Sequence, residues 1–174
     1  VSLIVGKKLK NLVDTGLVTG LPLDTNAVKS VHVDVRLDSL IYLETVPDIF
    51  HQTIIPGKDK LQLTEFDLFK ENLILKPNQF ALGGLKETIS LPNNITGFFY
   101  LDSSLGRCGS DHGAAILIQP GWSGKLVLEL MNAAQYHNLR FYDGMNIGKL
   151  MFMEHEEVEG YNGRFINQQE VRGN

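Results

Sequence analysis

A mainly β protein of sandwich or barrel-like form, with one short N-terminal helix, is the fold class the sequence predicts, and three observations predict it. Short apolar runs of strand length recur from residue 31 to residue 153. Between them lie clusters of Pro, Gly, Asn and Asp, in "KPNQ", "LPNN", "QPGWSG" and "YDGMN", where the chain must reverse. Helical spacing of apolar residues fades after the first short segment. Many short strands joined by tight turns bury their apolar faces by packing sheet on sheet or by closing into a barrel.

In chain order, "KKLKNLVDTG" at 7–16 places Leu9, Leu12 and Val13 at helical spacing and ends on glycine, which predicts a short amphipathic helix with a C-terminal stop. "VHVDVRL" at 31–37 alternates Val31, Val33, Val35 and Leu37 against His32, Asp34 and Arg36, the period-two pattern of a strand with one buried face. Further strands are expected at about 39–45, 73–75, 79–82, 95–101, 114–118, 125–131, 138–141 and 147–153. Residues 47–60, "PDIFHQTIIPGKDK", read as a surface excursion, and the polar "EHEEVEGYNGRFINQQEVRGN" reads as an arm leaving the body. No linker composition, repeat or low-complexity tract divides the chain. The expectation is one domain over 1–174, with about 155–174 as a C-terminal arm or lid.

With 174 residues the chain is long enough for one core that buries roughly two-thirds of the unfolded surface. Its composition, 43% hydrophobic and 21% charged, is that of a soluble globular protein. No stretch approaches the roughly 18 apolar residues of a membrane helix. "VSLIV" runs straight into "GKKLK", too short for a signal-peptide core and with its charges on the wrong side, so a cytoplasmic protein is expected. The single cysteine, Cys108, excludes an internal disulfide framework and is expected to be a small buried or half-buried residue. A net charge of −4 without a Lys/Arg-rich run argues against nucleic acid as a partner. A small anionic ligand needs only two or three local cations and stays open.

The five histidines, His32, His51, His112, His137 and His155, are scattered, and no CxxC occurs, so a zinc site has almost nothing to be built from. The His-x-Glu and Pro-Cys-x-x-Cys signature of zinc deaminases is absent, as is the GxSxG of serine hydrolases. His112 reads as a loop residue. Glu129 differs. In "KLVLELMN", Leu126, Leu128 and Leu130 take one parity, and Glu129 shares the other with Val127 and Met131. A carboxyl flanked by apolar side chains is partly desolvated, which raises its pKa and suits it to carrying a proton near neutral pH. The other reading is a strand whose second face meets solvent. Ser103, Ser104 and Arg107 bring hydroxyls and a guanidinium into a turn after "TGFFYL", a set able to hold a phosphate or a heterocycle edge. The tail "GYNGRFINQQ" adds aromatics, a cation and amides; a lid over an anionic aromatic ligand and a disordered terminus both fit it.

Taken in order, four segments resemble the motifs of one family. "SVHVDVRLD" resembles its early strand, and "LKPNQFALGGLKETISLPNNITGFFYLDSSLGRCG" resembles the approach to an Arg-Ser-Ser-Leu-x-Arg motif. "QPGWSGKLVLELMN" resembles Asp-Pro-Gly-(Trp/Phe)-x-Gly followed by Leu-Glu, and "YNGRFINQQ" resembles a Tyr-x-Gly-Lys-Tyr-Gln-x-Gln tail. The family is that of the dCTP deaminases of the trimeric dUTPase superfamily, and the resemblance covers nearly the whole chain. It implies a dUTPase-like distorted β-barrel or jelly-roll fold and a homotrimer with active sites at subunit interfaces. It also implies hydrolytic deamination at C4 of a deoxycytidine nucleotide, dCTP giving dUTP and ammonia, without zinc and with Mg2+ accompanying the triphosphate.

Residue by residue, Glu129 matches the general acid/base of that family, and Ser103 and Arg107 match residues that position water, base and glutamate. Ser104 falls in the same motif. Ala115 matches a residue whose backbone faces the base, and Trp122 matches the aromatic packed at the deoxyribose. Tyr161, Arg164 and Gln168 match tail positions that fold over the nucleotide, with Arg164 in place of lysine. Two departures stand out. Asp102 occupies the place of the motif's first arginine. If it faces the ligand, a lost charged hydrogen bond of roughly 1.5–3 kcal/mol lowers triphosphate affinity by an order of magnitude or more. Gln119 occupies the place of the motif's aspartate, and an amide cannot act as a general base, so little pyrophosphatase activity is expected. A dUTP pyrophosphatase or bifunctional enzyme is the first alternative. An inactive nucleotide-binding regulatory homologue is the second.

Overall fold

The computed structural model describes residues 1–23, 26–45, 53–113 and 116–171. The predicted helix spans Gly6–Asp14 and buries Leu9 and Val13. Gly16, at φ 104°, ends the turn that follows it, in the left-handed region that favours glycine.

Two five-stranded sheets form the body, and every strand pair in them is antiparallel. In the first, Asn146–Glu154 pairs with Ile95–Leu101 in continuous register from Gly148 opposite Leu101 to Glu154 opposite Ile95. It also pairs with Val33–Arg36 and Ser2–Leu3, while Leu117–Ile118 lies against Ile95–Leu101. The second sheet runs in the order Ser110–Asp111, Val127–Asn132, Phe80–Gly84, Leu40–Glu44, Leu63–Asp67. Ser123–Gly124, Thr88–Ser90 and Val18–Thr19 make a smaller sheet, and Leu139–Phe141 pairs with Leu73–Leu75. Among the described residues no sheet closes on itself, so the mainly β architecture takes a jelly-roll-like rather than a closed-barrel form.

Both large sheets contribute to one apolar cluster: Val33, Val35, Phe99, Leu150 and Phe152 from the first, Ile41, Ala81, Leu128 and Leu130 from the second. The alternation read in "VHVDVRL" is realised from residue 32 on, with Val33, Val35 and Leu37 buried and His32, Asp34 and Arg36 only partly so. Val31, expected on the buried face, precedes the strand Val33–Arg36 and is exposed. Each such side chain stabilises the fold by about 1.5–3 kcal/mol relative to exposure. Two polar groups brace the interior. Glu87 is fully buried; its Oε2 accepts from the Arg36 backbone N–H and its Oε1 from Arg36 Nε, both at 2.8 Å. Asn132, also fully buried, donates from Nδ2 to the carbonyls of Leu75 and His137 and accepts from the backbone N–H of Ala134, which fixes the end of Val127–Asn132.

All four signalled turns close with a backbone bond, from Gln79 N to Lys76 O, Ile95 N to Pro92 O, Trp122 N to Gln119 O and Met145 N to Tyr142 O, at 3.1–3.2 Å. Other expectations are corrected. Leu63–Asp67 and Thr88–Ser90 are strands the apolar pattern did not signal. Ser103–Arg107 is a short helix instead of a turn, because Asp102 caps it. Cys108, at the C-terminal end of that helix, is exposed, not buried or half-buried. Of the expected excursion at 47–60, residues 47–52 lie outside the described residues, and 56–58 form a turn. No helix among the described residues is long and apolar enough to cross a membrane.

The largest correction concerns the C-terminal arm. Instead of leaving the body it folds back along it: Tyr161 N donates to Pro120 O, Asn167 N to Ser123 O, and Lys125 N to Gln168 O, each at 2.7 Å. Gly124 and Gln168 form a parallel bridge, and Val171 is buried. Glycine at 124 is what permits the approach, since a Cβ there would lie 2.5 Å from the Gln168 carbonyl oxygen.

Candidate active site

Strand Val127–Asn132 sends Leu128 and Leu130 into the core, which turns Val127, Glu129 and Met131 to the opposite face. That face does not simply meet solvent. Val127 and Glu129 are half-buried against a cavity of about 330 Å3, and only Met131 is exposed. The cavity has the size of a small-molecule site. Its walls bring together five of the predicted residues, Gln119, Trp122, Glu129, Tyr161 and Gln168, from three separate stretches of chain. Most of the remaining lining is apolar, including Leu82, Leu117 and Phe165.

Burial in these walls raises the Glu129 carboxyl above its ordinary value of 4.5. A bond to its own backbone N–H and the nearby charge of His112 pull weakly the other way. His112 is held edge-on to Phe99, with ring centroids 5.1 Å apart. Across the sheet, Glu129 stands opposite Leu82. A carboxyl that keeps its proton longer than usual beside a largely apolar wall is suited to accepting and returning a proton near neutral pH.

The turn "QPGWSG" and the arm build the other walls jointly. Pro120 and Gly121 reverse the chain, Gly121 at φ 76°, and this sets Trp122 nine-tenths buried beside the cavity. The Trp122 indole N–H donates to Phe165 O at 2.9 Å, and the Phe165 N–H donates to the Tyr161 hydroxyl at 3.2 Å. The arm is thereby latched against the turn, with Tyr161, Phe165 and Gln168 in the cavity wall.

Other predicted residues stand elsewhere. Ser103, Ser104 and Arg107 are exposed on their short helix and do not line the cavity. Arg164 is exposed, its guanidinium 5.5 Å from the Phe165 ring. Ala115 lies outside the described residues. Asp102 is committed within the chain: Oδ1 accepts from the Ser104 N–H at 2.9 Å and its hydroxyl at 2.7 Å, and Oδ2 pairs with Lys149 at 3.1 Å. These partners, the Ser104 hydroxyl foremost, hold its carboxyl at about 2. Its negative charge is balanced by Lys149 instead of being left unpaired.

Sequence reasoning missed Leu82 and Phe165. For Phe165 a signal existed, because it fills the place of the second aromatic in the tail motif. Leu82 carries no local signal; only the strand register places it beside Glu129.

Comparison with known proteins identifies the chain's relatives. The family model described as dCTP deaminase-like matches residues 3–155. A protein of Beutenbergia cavernae named "dCTP deaminase, dUMP-forming" is 35% identical over 154 residues, 86% of this chain and 78% of its own. Relatives of the same name from Mycobacterium tuberculosis and Rhodococcus erythropolis are 34% and 36% identical, covering 87% and 76% of this chain and 80% and 70% of theirs. Among solved structures, the 2'-deoxycytidine 5'-triphosphate deaminase of Agrobacterium tumefaciens shares the fold, with a TM-score of 0.68 at 20% identity over 86% of this chain. The chain spans about half of that longer protein, 47% of its length. By the extent of the family match and by these relatives, the chain belongs to the dCTP deaminase-like family.

Proposed function

We propose that the protein catalyses the hydrolytic deamination of dCTP, with Glu129 as the proton shuttle. The observation that carries this reading is the Glu129 carboxyl, its pKa raised by burial, in an apolar cavity shared with Gln119, Trp122, Tyr161 and Gln168. The relatives' names supply the substrate.

The cytosine ring enters between the apolar walls, and Trp122 packs against the deoxyribose. Glu129 takes a proton from a water molecule as its oxygen bonds to C4, and the π electrons of the C4–N3 bond move to N3. Glu129 passes that proton to N3, then takes the proton of the new C4 hydroxyl and delivers it to the amino group. The C4–N4 bond breaks with its electron pair leaving on ammonia as C4=O forms, so one water is consumed, one ammonia is released and Glu129 ends as the carboxylate it began as. The apolar surroundings make the carboxylate a stronger base than it would be in water. Closure of Tyr161, Phe165 and Gln168 over the ligand excludes bulk water, and Arg164 supplies a cation for the phosphates. The nucleotide arrives as its magnesium complex, the ion travelling with the triphosphate.

Ser103 and Arg107 are exposed and away from the cavity of their own chain. We assign them, with Ser104 and the backbone at Ala115, to a cavity shared between copies in a cytoplasmic homotrimer. Gln119 governs the product. Going from dCTP to dUMP requires loss of two phosphates as well as the amino group, and an amide at 119 offers no base for that second step. dUTP is therefore the expected product. The relatives' names favour the other outcome, dUMP. A mass-resolved assay with dCTP and magnesium decides: dUTP with equimolar ammonia supports the reading, dUMP with ammonia moves the product to that of the relatives, and binding without ammonia release overturns deamination.

A further inference from the structure

The second sheet carries a row of outward-facing residues through Glu129. Glu65 is opposite Tyr42, Tyr42 opposite Leu82, and Leu82 opposite Glu129. Beyond Glu129 the row reaches Gly113, where a methyl group would lie 3.8 Å from Glu129 Cβ and 4.0 Å from its Oε2. The two flanks of the carboxyl therefore differ. One neighbour is a branched apolar side chain that lines the cavity; the other has no side chain.

We infer that Leu82 is a positioning residue for Glu129, covering the carboxyl along the sheet on the cavity wall that both residues share, while Gly113 on the other flank adds no side chain to compete with it. The inference deepens the proposed function and rests on Glu129 as the shuttle. Hydrophobic cover from Leu82 desolvates the carboxylate, and the cavity that both residues line keeps it reachable. The nearest polar group along the row beyond Leu82 is the Tyr42 hydroxyl, and it is directed to Glu65 Oε2 at 3.0 Å. Among the described residues, the titratable groups around Glu129 are few. Asp111 ends the strand Ser110–Asp111, His112 follows it beside Gly113, and the Tyr161 phenol comes from the arm. Strand Phe80–Gly84 brings none. Leu82 therefore acts through solvation, not through charge.

The test titrates Glu129 directly. In protein carrying 13C-labelled glutamate, its carboxyl resonance is identified by its loss in Glu129→Gln, and followed with pH in wild type, Leu82→Asn, Leu82→Ala and Leu82→Ile. The Asn and Ala variants are expected to bring the midpoint down toward the ordinary 4.5, and Ile to retain the wild-type value. The acid limb of deamination should move with the midpoint, with kcat falling about tenfold and KM changing little. An unmoved midpoint in the folded Asn and Ala variants overturns the inference. A midpoint that moves while deamination keeps its pH profile supports the role of Leu82 and removes Glu129 from the chemistry.

Discussion

Glu129 and Asp102 are both carboxyl groups set against apolar-rich β structure, yet their surroundings push them in opposite directions. At Glu129 burial outweighs the nearby charge of His112, and among the described residues no salt bridge holds the group, so its proton is held more tightly than usual. At Asp102 the Ser104 hydroxyl and N–H and the Lys149 ammonium converge, and the proton is lost at about 2. The difference separates tasks: a carboxyl poised to exchange a proton is suited to chemistry, and one locked in its charged form is suited to holding a helix in place. It also changes the meaning of the departure at position 102. The negative charge there is an internal counter-ion to Lys149 and a helix cap.

The sharpest way to break the contrast is Glu129→Gln. It is expected to lower deamination by roughly a hundred- to ten-thousand-fold while dCTP binding persists. Stability should move the other way. A carboxyl that binds its proton more tightly when folded makes stability fall as pH rises through the unfolded value near 4.5, and the loss persists above the folded value. The Gln variant should therefore melt higher than wild type at pH 7, with the advantage shrinking below pH 4.5. Equal melting curves at both ends would remove desolvation as the cause.

Glu87 sharpens the comparison because it is buried more deeply than Glu129 but has a partner, Arg36. Glu87→Ala leaves that guanidinium without its carboxylate and is expected to cost about 3–5 kcal/mol, read by denaturant unfolding. Asp102→Ala should cost less, about 0.5–2 kcal/mol, as loss of an N-cap. Here the pH dependence is reversed. The folded carboxyl titrates at about 2 against an ordinary 3.8, so its contribution is complete above 3.8 and is lost as pH falls toward 2. The gap between wild type and Asp102→Asn should close over that interval.

Where one buried face met one exposed face, the sequence was legible. Val33 and Val35 announced their strand by alternation, and the four turns by Pro, Gly, Asn and Asp. Leu63–Asp67 was not legible because, at the outer edge of its sheet, it mixes Thr, Glu and Asp with Leu and Phe, and no residue in it is fully buried. Thr88–Ser90 was too short to show a period. Composition made the arm read as an extension, because its polar side chains conceal backbone bonds that tie it to Pro120, Ser123 and Lys125. For the site, local pattern placed Glu129 on a mixed face, and motif resemblance supplied Trp122, Tyr161 and Gln168. Leu82 depends on a cross-strand register that no local stretch encodes.

The most direct test of the central claim is a single-turnover experiment in heavy-oxygen water, comparing wild type with Glu129→Gln at saturating dCTP and magnesium. Wild type should release ammonia and place one heavy oxygen at C4 of the uracil product, while the variant binds dCTP and forms no product on that timescale. Product formation by Glu129→Gln at the wild-type rate would contradict the assignment of Glu129. Ammonia release without heavy oxygen in the base would contradict hydrolytic deamination itself.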